Sequence, residues 1–93
     1  MIESSISDTA KQIAGQLLER ADCRRLTGAD WSQLQQYLQS RDDLDPDLKA
    51  EQSLTLARQL REAIGLQHLP QKMTGDTFLE ALYWAIVSAN LRP

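Results

Sequence analysis

Residues 75–91, GDTFLEALYWAIVSANL, decide the fold that the sequence predicts. At the helical advance of 100° per residue, this stretch is apolar on two faces. The members of one apolar stripe are Phe78, Leu82, Ala85, Ile86 and Ala89. The second stripe lies nearly opposite and contains Trp84, Val87 and Leu91, with Tyr83 at its edge. A helix that is apolar nearly all round lies inside its own protein or meets a partner.

Three further helices precede this one, each marked by a cap and by apolar residues at helical spacing. Asp30 lies three residues after Thr27, as in a capping box, and Pro46 occupies a favoured first helical position. The predicted N-caps of the four helices are Ser7, Thr27, Asp45 and Thr74. We therefore predict an all-α fold, a compact bundle of four main helices with the C-terminal helix at its centre.

The sequence marks the C-terminal ends of the helices less clearly than their N-terminal ends. The apolar stripe of the first helix fails near Arg24, so we expect this helix to end around there. Gly65 supplies the left-handed residue that closes many helices, and Leu66 is placed to pack back as in a Schellman motif. The segment Gln67–Met73, which contains Pro70, is predicted to be a loop.

Length and composition restrict the class of protein. The 93 residues form one predicted helical domain, and 42% hydrophobic with 25% charged residues is typical of a globular protein. The longest apolar run, Ala81–Val87, is much shorter than the ~20 residues that span a bilayer. The chain has a single cysteine, Cys23, and its N-terminus lacks a signal-peptide pattern. We therefore expect a soluble cytoplasmic protein.

No motif predicts catalysis, a cofactor or a metal. Asp43, Asp45 and Asp47 match the start of an EF-hand loop, but Leu48 replaces its glycine and Leu54 its glutamate. These acidic residues instead suit a helix N-terminus. Cys23 and the only histidine, His68, are 45 positions apart, and neither has a local catalytic partner. Cys23 falls on the polar side of its predicted helix, which predicts access to solvent.

Three arginines, Arg20, Arg24 and Arg25, form a candidate patch for an anion or an acidic partner near the end of the first helix. Cations are also favoured at a helix C-terminus for purely structural reasons. A nucleic-acid or regulatory binding protein is the alternative function, using this end and the glutamine-rich face of the second helix. The net charge of −3 and the lack of a basic residue in that helix before Arg41 argue against it.

The leading hypothesis is a small interaction or assembly module without catalytic activity. Its protein partner is either a different chain or a second copy bound through the C-terminal helix. The candidate interface is the second stripe, Tyr83, Trp84, Val87 and Leu91. Aromatic side chains are common anchors of interfaces. The competing interpretation is that this helix is covered on all sides within one chain.

Overall fold

The computed structural model describes residues 5–66 and 73–91, and over these ranges it contains helices and no strand. The four main helices are α1 (Asp8–Arg20), α2 (Gly28–Ser40), α3 (Pro46–Ala63) and α4 (Gly75–Ser88). Short 3-10 helices follow α1 and α2 at Cys23–Arg25 and Arg41–Asp43. The predicted all-α fold with a central C-terminal helix is confirmed, since α4 contacts all three other helices, most extensively α1 and α3.

The direction of each neighbour of α4 follows from paired contacts along it. Ser7 meets Glu80 and Lys11 meets Trp84, so α1 runs parallel to α4. Trp31 meets Tyr83 and Tyr37 meets Asp76, so α2 runs antiparallel to it. The apolar faces of all four helices enclose one core, whose largest fully buried side chains include Phe78, Leu79, Leu82 and Ile86 of α4.

Three of the four predicted N-caps make the expected side-chain hydrogen bond. Ser7 accepts from the Ala10 N–H at 3.2 Å, and Thr74 accepts from the Thr77 N–H at 3.1 Å. Thr27 forms the complete capping box with Asp30. Asp45 is at the N-cap of α3, but its side chain makes no capping bond, so this part of the prediction is wrong. Pro46 at the first helical position leaves one fewer N–H without a partner within the helix.

Both α3 and α4 end in a Schellman motif. Gly65 has a φ of 74°, and the Leu66 N–H donates to the Arg61 carbonyl at 3.1 Å, as predicted. In α4 the left-handed residue is Asn90, with a φ of 57°. The Leu91 N–H donates to the Ile86 carbonyl at 2.9 Å. The helix therefore ends at Ser88, before the Leu91 expected from the sequence.

Two further expectations need correction. Helix α1 ends at Arg20 rather than near Arg24, because Ala21 is extended and the Asp22 N–H donates to the Ile64 carbonyl at 3.2 Å. This turn directs Cys23 into the core, where it is 3% exposed, so the expected solvent access of its thiol is wrong. In α3, Ala50 and Leu54 are exposed, although the helical spacing of its apolar residues predicts that both belong to the apolar face. The predicted loop at Gln67–Met73 lies outside the described residues except for Met73.

Candidate functional site

A buried polar cluster lies beside the N-terminal half of α4, and sequence reasoning did not identify it. The Arg41 guanidinium is nearly inaccessible and contacts two carboxylates of α4, Glu80 at 2.5 Å and Asp76 at 3.0 Å. Tyr37 of α2 donates its hydroxyl to Asp76 at 2.6 Å. The residues before α1 join the cluster, because the Ser7 N–H donates to Glu80 and Arg41 donates to the Ser5 carbonyl.

The electrostatics of this cluster follow from its geometry. Burial, the largest single influence on Asp76, raises its pKa, but hydrogen bonds from Tyr37 and Arg41 bring that pKa below its ordinary value. Burial and the bond to the Asp76 carboxylate raise the pKa of the Tyr37 hydroxyl, which stays neutral. No buried side-chain nitrogen or oxygen of the described residues lacks a hydrogen-bond partner. The cluster therefore joins α2, α4 and the residues before α1.

One sequence signal pointed to this cluster. Glu80 is the only charged residue among the apolar positions of α4 after its first turn, and a carboxylate on so buried a helix needs a cationic partner. Choosing Arg41 as that partner required the tertiary structure, because the two residues are 39 positions apart.

The second stripe of α4 divides into a buried part and a surface part. Tyr83 is 5% exposed and stacks on Trp31, with ring centroids 5.2 Å apart and planes 6° apart. It is thus placed in the core, away from the surface shared by the other candidate interface residues. Trp84, Val87 and Leu91 are partly buried against the core. We call these three residues the α4 strip. Lys11 covers part of it, with its ammonium 4.6 Å from the centroid of the Trp84 ring.

A cleft of about 560 Å³ lies where α1 and α4 both end, and we call it the C-terminal cleft. Leu91 belongs to both the α4 strip and this cleft, so the two surfaces are continuous. Leu18, 39% exposed, and Ala89 contribute further apolar surface. The charged side chains that line it are Glu19, Arg20, Asp22 and Arg24.

The structure brings two of the three candidate arginines together. Arg20 and Arg24 both line the C-terminal cleft, are exposed, and make no ion pair with any described residue. Arg25 is placed elsewhere, with its guanidinium over Gly65, where an added Cβ would come within 2.8 Å of Nη1. The arginines therefore do not form one continuous anion-binding face.

The glutamine-rich face of α2 is partly used within the chain. The Gln59 amide of α3 donates to the Gln33 side-chain oxygen at 2.9 Å and to Asp30 at 3.3 Å. These bonds hold α2 against α3, so Gln33 already has a structural partner. Within the described residues, the glutamine-rich face is thus partly occupied, and Arg25 is separated from the other two candidate arginines.

Cys23 and His68 are the residues that the sequence offers for nucleophilic chemistry. Burial, followed by the neighbouring Asp22 charge, raises the pKa of the Cys23 thiol, which opposes formation of a reactive thiolate. His68 lies outside the described residues. Among residues 5–66 and 73–91, no group of three or more possible metal ligands occurs, and no helix there is long and apolar enough to cross a membrane. No protein-family model, curated protein or solved structure matches the chain.

Proposed function

We propose that the protein is a small interaction or assembly module without catalytic activity, acting in the cytoplasm. Its contact surface is the α4 strip together with the C-terminal cleft. The carrying observation is that α4 is covered by its own chain on nearly every side, yet Trp84, Val87 and Leu91 remain partly accessible. The proposed cytoplasmic location draws support from the single cysteine, which suits a reducing compartment.

The composition of this surface supports binding to a protein. Trp84 provides a large aromatic anchor, and Leu91 and Leu18 extend the apolar area into the cleft. Arg20 and Arg24 provide guanidinium groups at its rim. An apolar centre with arginine nearby resembles the composition of protein interfaces rather than that of a small-molecule pocket with converging polar groups.

Substitution of Trp84 tests the proposal against the alternative that the strip is simply core. Trp84→Ala should weaken association, either with a second copy or with a co-purifying protein, while the chain stays folded. Trp31→Ala is the matched control, because Trp31 is buried and stacked within the chain. We expect Trp31→Ala to cost about 3–5 kcal/mol of unfolding free energy, and Trp84→Ala clearly less.

Sedimentation across a range of concentrations, co-purification and urea unfolding provide the measurements. The proposal is wrong if the protein is monomeric, retains no partner, and Trp84→Ala destabilises it as much as Trp31→Ala. Loss of a partner from the Trp84→Ala protein, with retention by Leu54→Ala, supports it, since Leu54 is an exposed leucine away from α4's strip.

A further inference from the structure

We propose that two copies of the chain form a symmetric dimer in which their α1 helices cross antiparallel at Gly15. This inference rests on the proposed function, because Lys11 and Leu18 join the crossing to the α4 strip and the C-terminal cleft. It adds the identity of the partner and the orientation of the contact. We call the surface of α1 formed by Lys11, Gln12, Gly15, Leu18 and Glu19 the α1 face.

Gly15 is an exposed residue in the middle of α1. Its φ is not positive, so no left-handed backbone requires a glycine there. No described atom beyond its chain neighbours and the local backbone of α1 lies within 4 Å of a Cβ built at this position, so packing within the chain does not require one either. Glycine within a helix costs stability relative to alanine, and it allows another backbone to approach closely. The residue therefore suits a close contact from outside the chain.

Apolar side chains beside Gly15 provide area for this contact. Leu18, one turn further along α1, is 39% exposed and lines the C-terminal cleft with Leu91. Trp84 lies against Lys11, which helical periodicity places on the same side of Gly15 as Leu18. The α4 strip therefore follows one side of the α1 face. In the antiparallel dimer the two strips lie on the same side of the crossing, with Trp84 of one copy toward Leu91 of the other.

The charges of the α1 face are self-complementary in the antiparallel orientation. Lys11 lies one turn before Gly15 and about 40° to one side of it, and Glu19 lies one turn after it and about 40° to the other side. A two-fold axis at Gly15 therefore brings Lys11 of each copy beside Glu19 of the other. Neither side chain makes an ion pair with a described residue of its own chain. A parallel crossing would instead place like charges together.

The other charges of α1 do not oppose this pairing. Asp8 lies two turns before Gly15, and it faces no residue of the other α1 because that helix ends at Arg20. Asp22, which would otherwise come opposite Asp8, has left the helix, since Ala21 is extended. Arg20 is about 140° from Gly15 around the helix, outside the α1 face. Each α1 face thus carries one cation and one anion, and the dimer forms two equivalent ion pairs.

Sedimentation equilibrium of the full chain across a range of concentrations tests the inference. The mass should rise to that of a dimer and stop there, because an isologous contact uses the same surface of both copies. Gly15→Gln should raise the dimer dissociation constant about tenfold or more, because its side chain fills the crossing. Urea unfolding of dilute, monomeric protein should show no loss of stability, since glutamine is the better helix former and the space for its Cβ is open. Ser32→Gln, at an exposed position of α2, is the matched control and should leave dimerisation unchanged.

Charge reversal tests the orientation of the crossing. Lys11→Glu and Glu19→Lys should each raise the dissociation constant about tenfold at low ionic strength, because symmetry turns two attractive pairs into repulsive ones. The double variant Lys11→Glu/Glu19→Lys restores both pairs with the signs exchanged, so its dissociation constant should return to within about threefold of the wild-type value. Arg58→Glu and Glu51→Lys, both exposed on α3, change the net charge by the same amounts and should have no effect.

Several results would overturn the inference. A wild-type protein that is monomeric at every concentration does so, as does a dimer that Gly15→Gln leaves intact. Single charge reversals without effect, or a double variant as weak as the single ones, exclude the antiparallel crossing. The proposed function survives each of these results if Trp84→Ala releases a co-purifying protein or abolishes an association that Gly15→Gln leaves intact.

Discussion

The charged side chains at the two ends of α4 differ in their burial and in their pairing. Toward its N-terminus, Arg41 and Glu80 are buried and the partly buried Asp76 pairs with Arg41, and no buried side-chain nitrogen or oxygen of the described residues lacks a partner. At its C-terminus, Arg20 and Arg24 line an open cleft, and neither makes an ion pair with a described residue. The comparison indicates that the first end holds the helices together, whereas the second end leaves its arginines exposed to solvent. Each prediction below changes one end and uses another part of the molecule as its control.

The largest effect should come from removing the buried guanidinium. Arg41→Ala leaves Glu80, 7% exposed, without its cationic partner. Breaking a buried pair in this way costs about 3–5 kcal/mol. Arg24→Ala, at the open end, should change the free energy of unfolding by less than about 0.5 kcal/mol. Urea unfolding of both variants measures the difference, and equal effects would contradict the contrast between the two ends.

A smaller loss of stability should follow when Gly75, the first residue of α4, is replaced by alanine. A Cβ on Gly75 would lie 2.7 Å from the Ser53 carbonyl oxygen and 2.9 Å from the Leu54 nitrogen, both backbone atoms of α3. Gly75→Ala must therefore separate the two helices, at a cost of about 1–3 kcal/mol.

Gly15 provides the control for this substitution, because no described atom beyond its chain neighbours and the local backbone of α1 lies within 4 Å of a Cβ built there. Gly15→Ala, within α1, should stabilise the protein by about 0.5–1 kcal/mol. Thermal unfolding of the two variants should shift in opposite directions. A neutral Gly75→Ala would show that the close approach of α3 and α4 is not required.

Acid should weaken the N-terminal end of α4 selectively. The pKa of Asp76 is lower in the folded chain than in the unfolded chain, so unfolding takes up a proton as the pH falls. This contribution to stability is present above about pH 4, the ordinary value for an aspartate, and is lost below it. Asp76→Asn should flatten the pH dependence of urea unfolding in this range. Asp43→Asn, at an exposed position, should leave it unchanged, and identical profiles for Asp76→Asn and wild type would refute the assignment.

The smallest effect on stability should come from the N-cap residues of α3 and α4. Asp45 makes no side-chain bond to α3, so Asp45→Ala should cost less than about 0.5 kcal/mol. Thr74 bonds the Thr77 N–H at the start of α4, so Thr74→Ala should cost about 1 kcal/mol. Chemical unfolding compares the two. A larger loss for Asp45→Ala would show that its carboxylate stabilises α3 in solution. Calcium should leave the melting temperature unchanged, since the acidic residues there form no group of metal ligands.

The sequence alone determined the number and type of the main helices and the residues at which they begin. Apolar spacing identified the four helices, Thr27 and Thr74 marked two starts, and Gly65 marked one end. These signals are readable because helix periodicity and capping act between residues only a few positions apart. The central place of α4 also followed, since its two apolar stripes require covering on more than one side.

Only the tertiary structure decided which side chains are buried at contacts between distant segments. It placed Tyr83 on Trp31, turned Cys23 into the core, and paired Arg41 with Glu80. It also brought Gly75 against the backbone of α3, a contact that a glycine at the start of a helix does not by itself predict. Such contacts depend on how whole helices pack, and periodicity within one helix carries no information about the side chain that meets it from another.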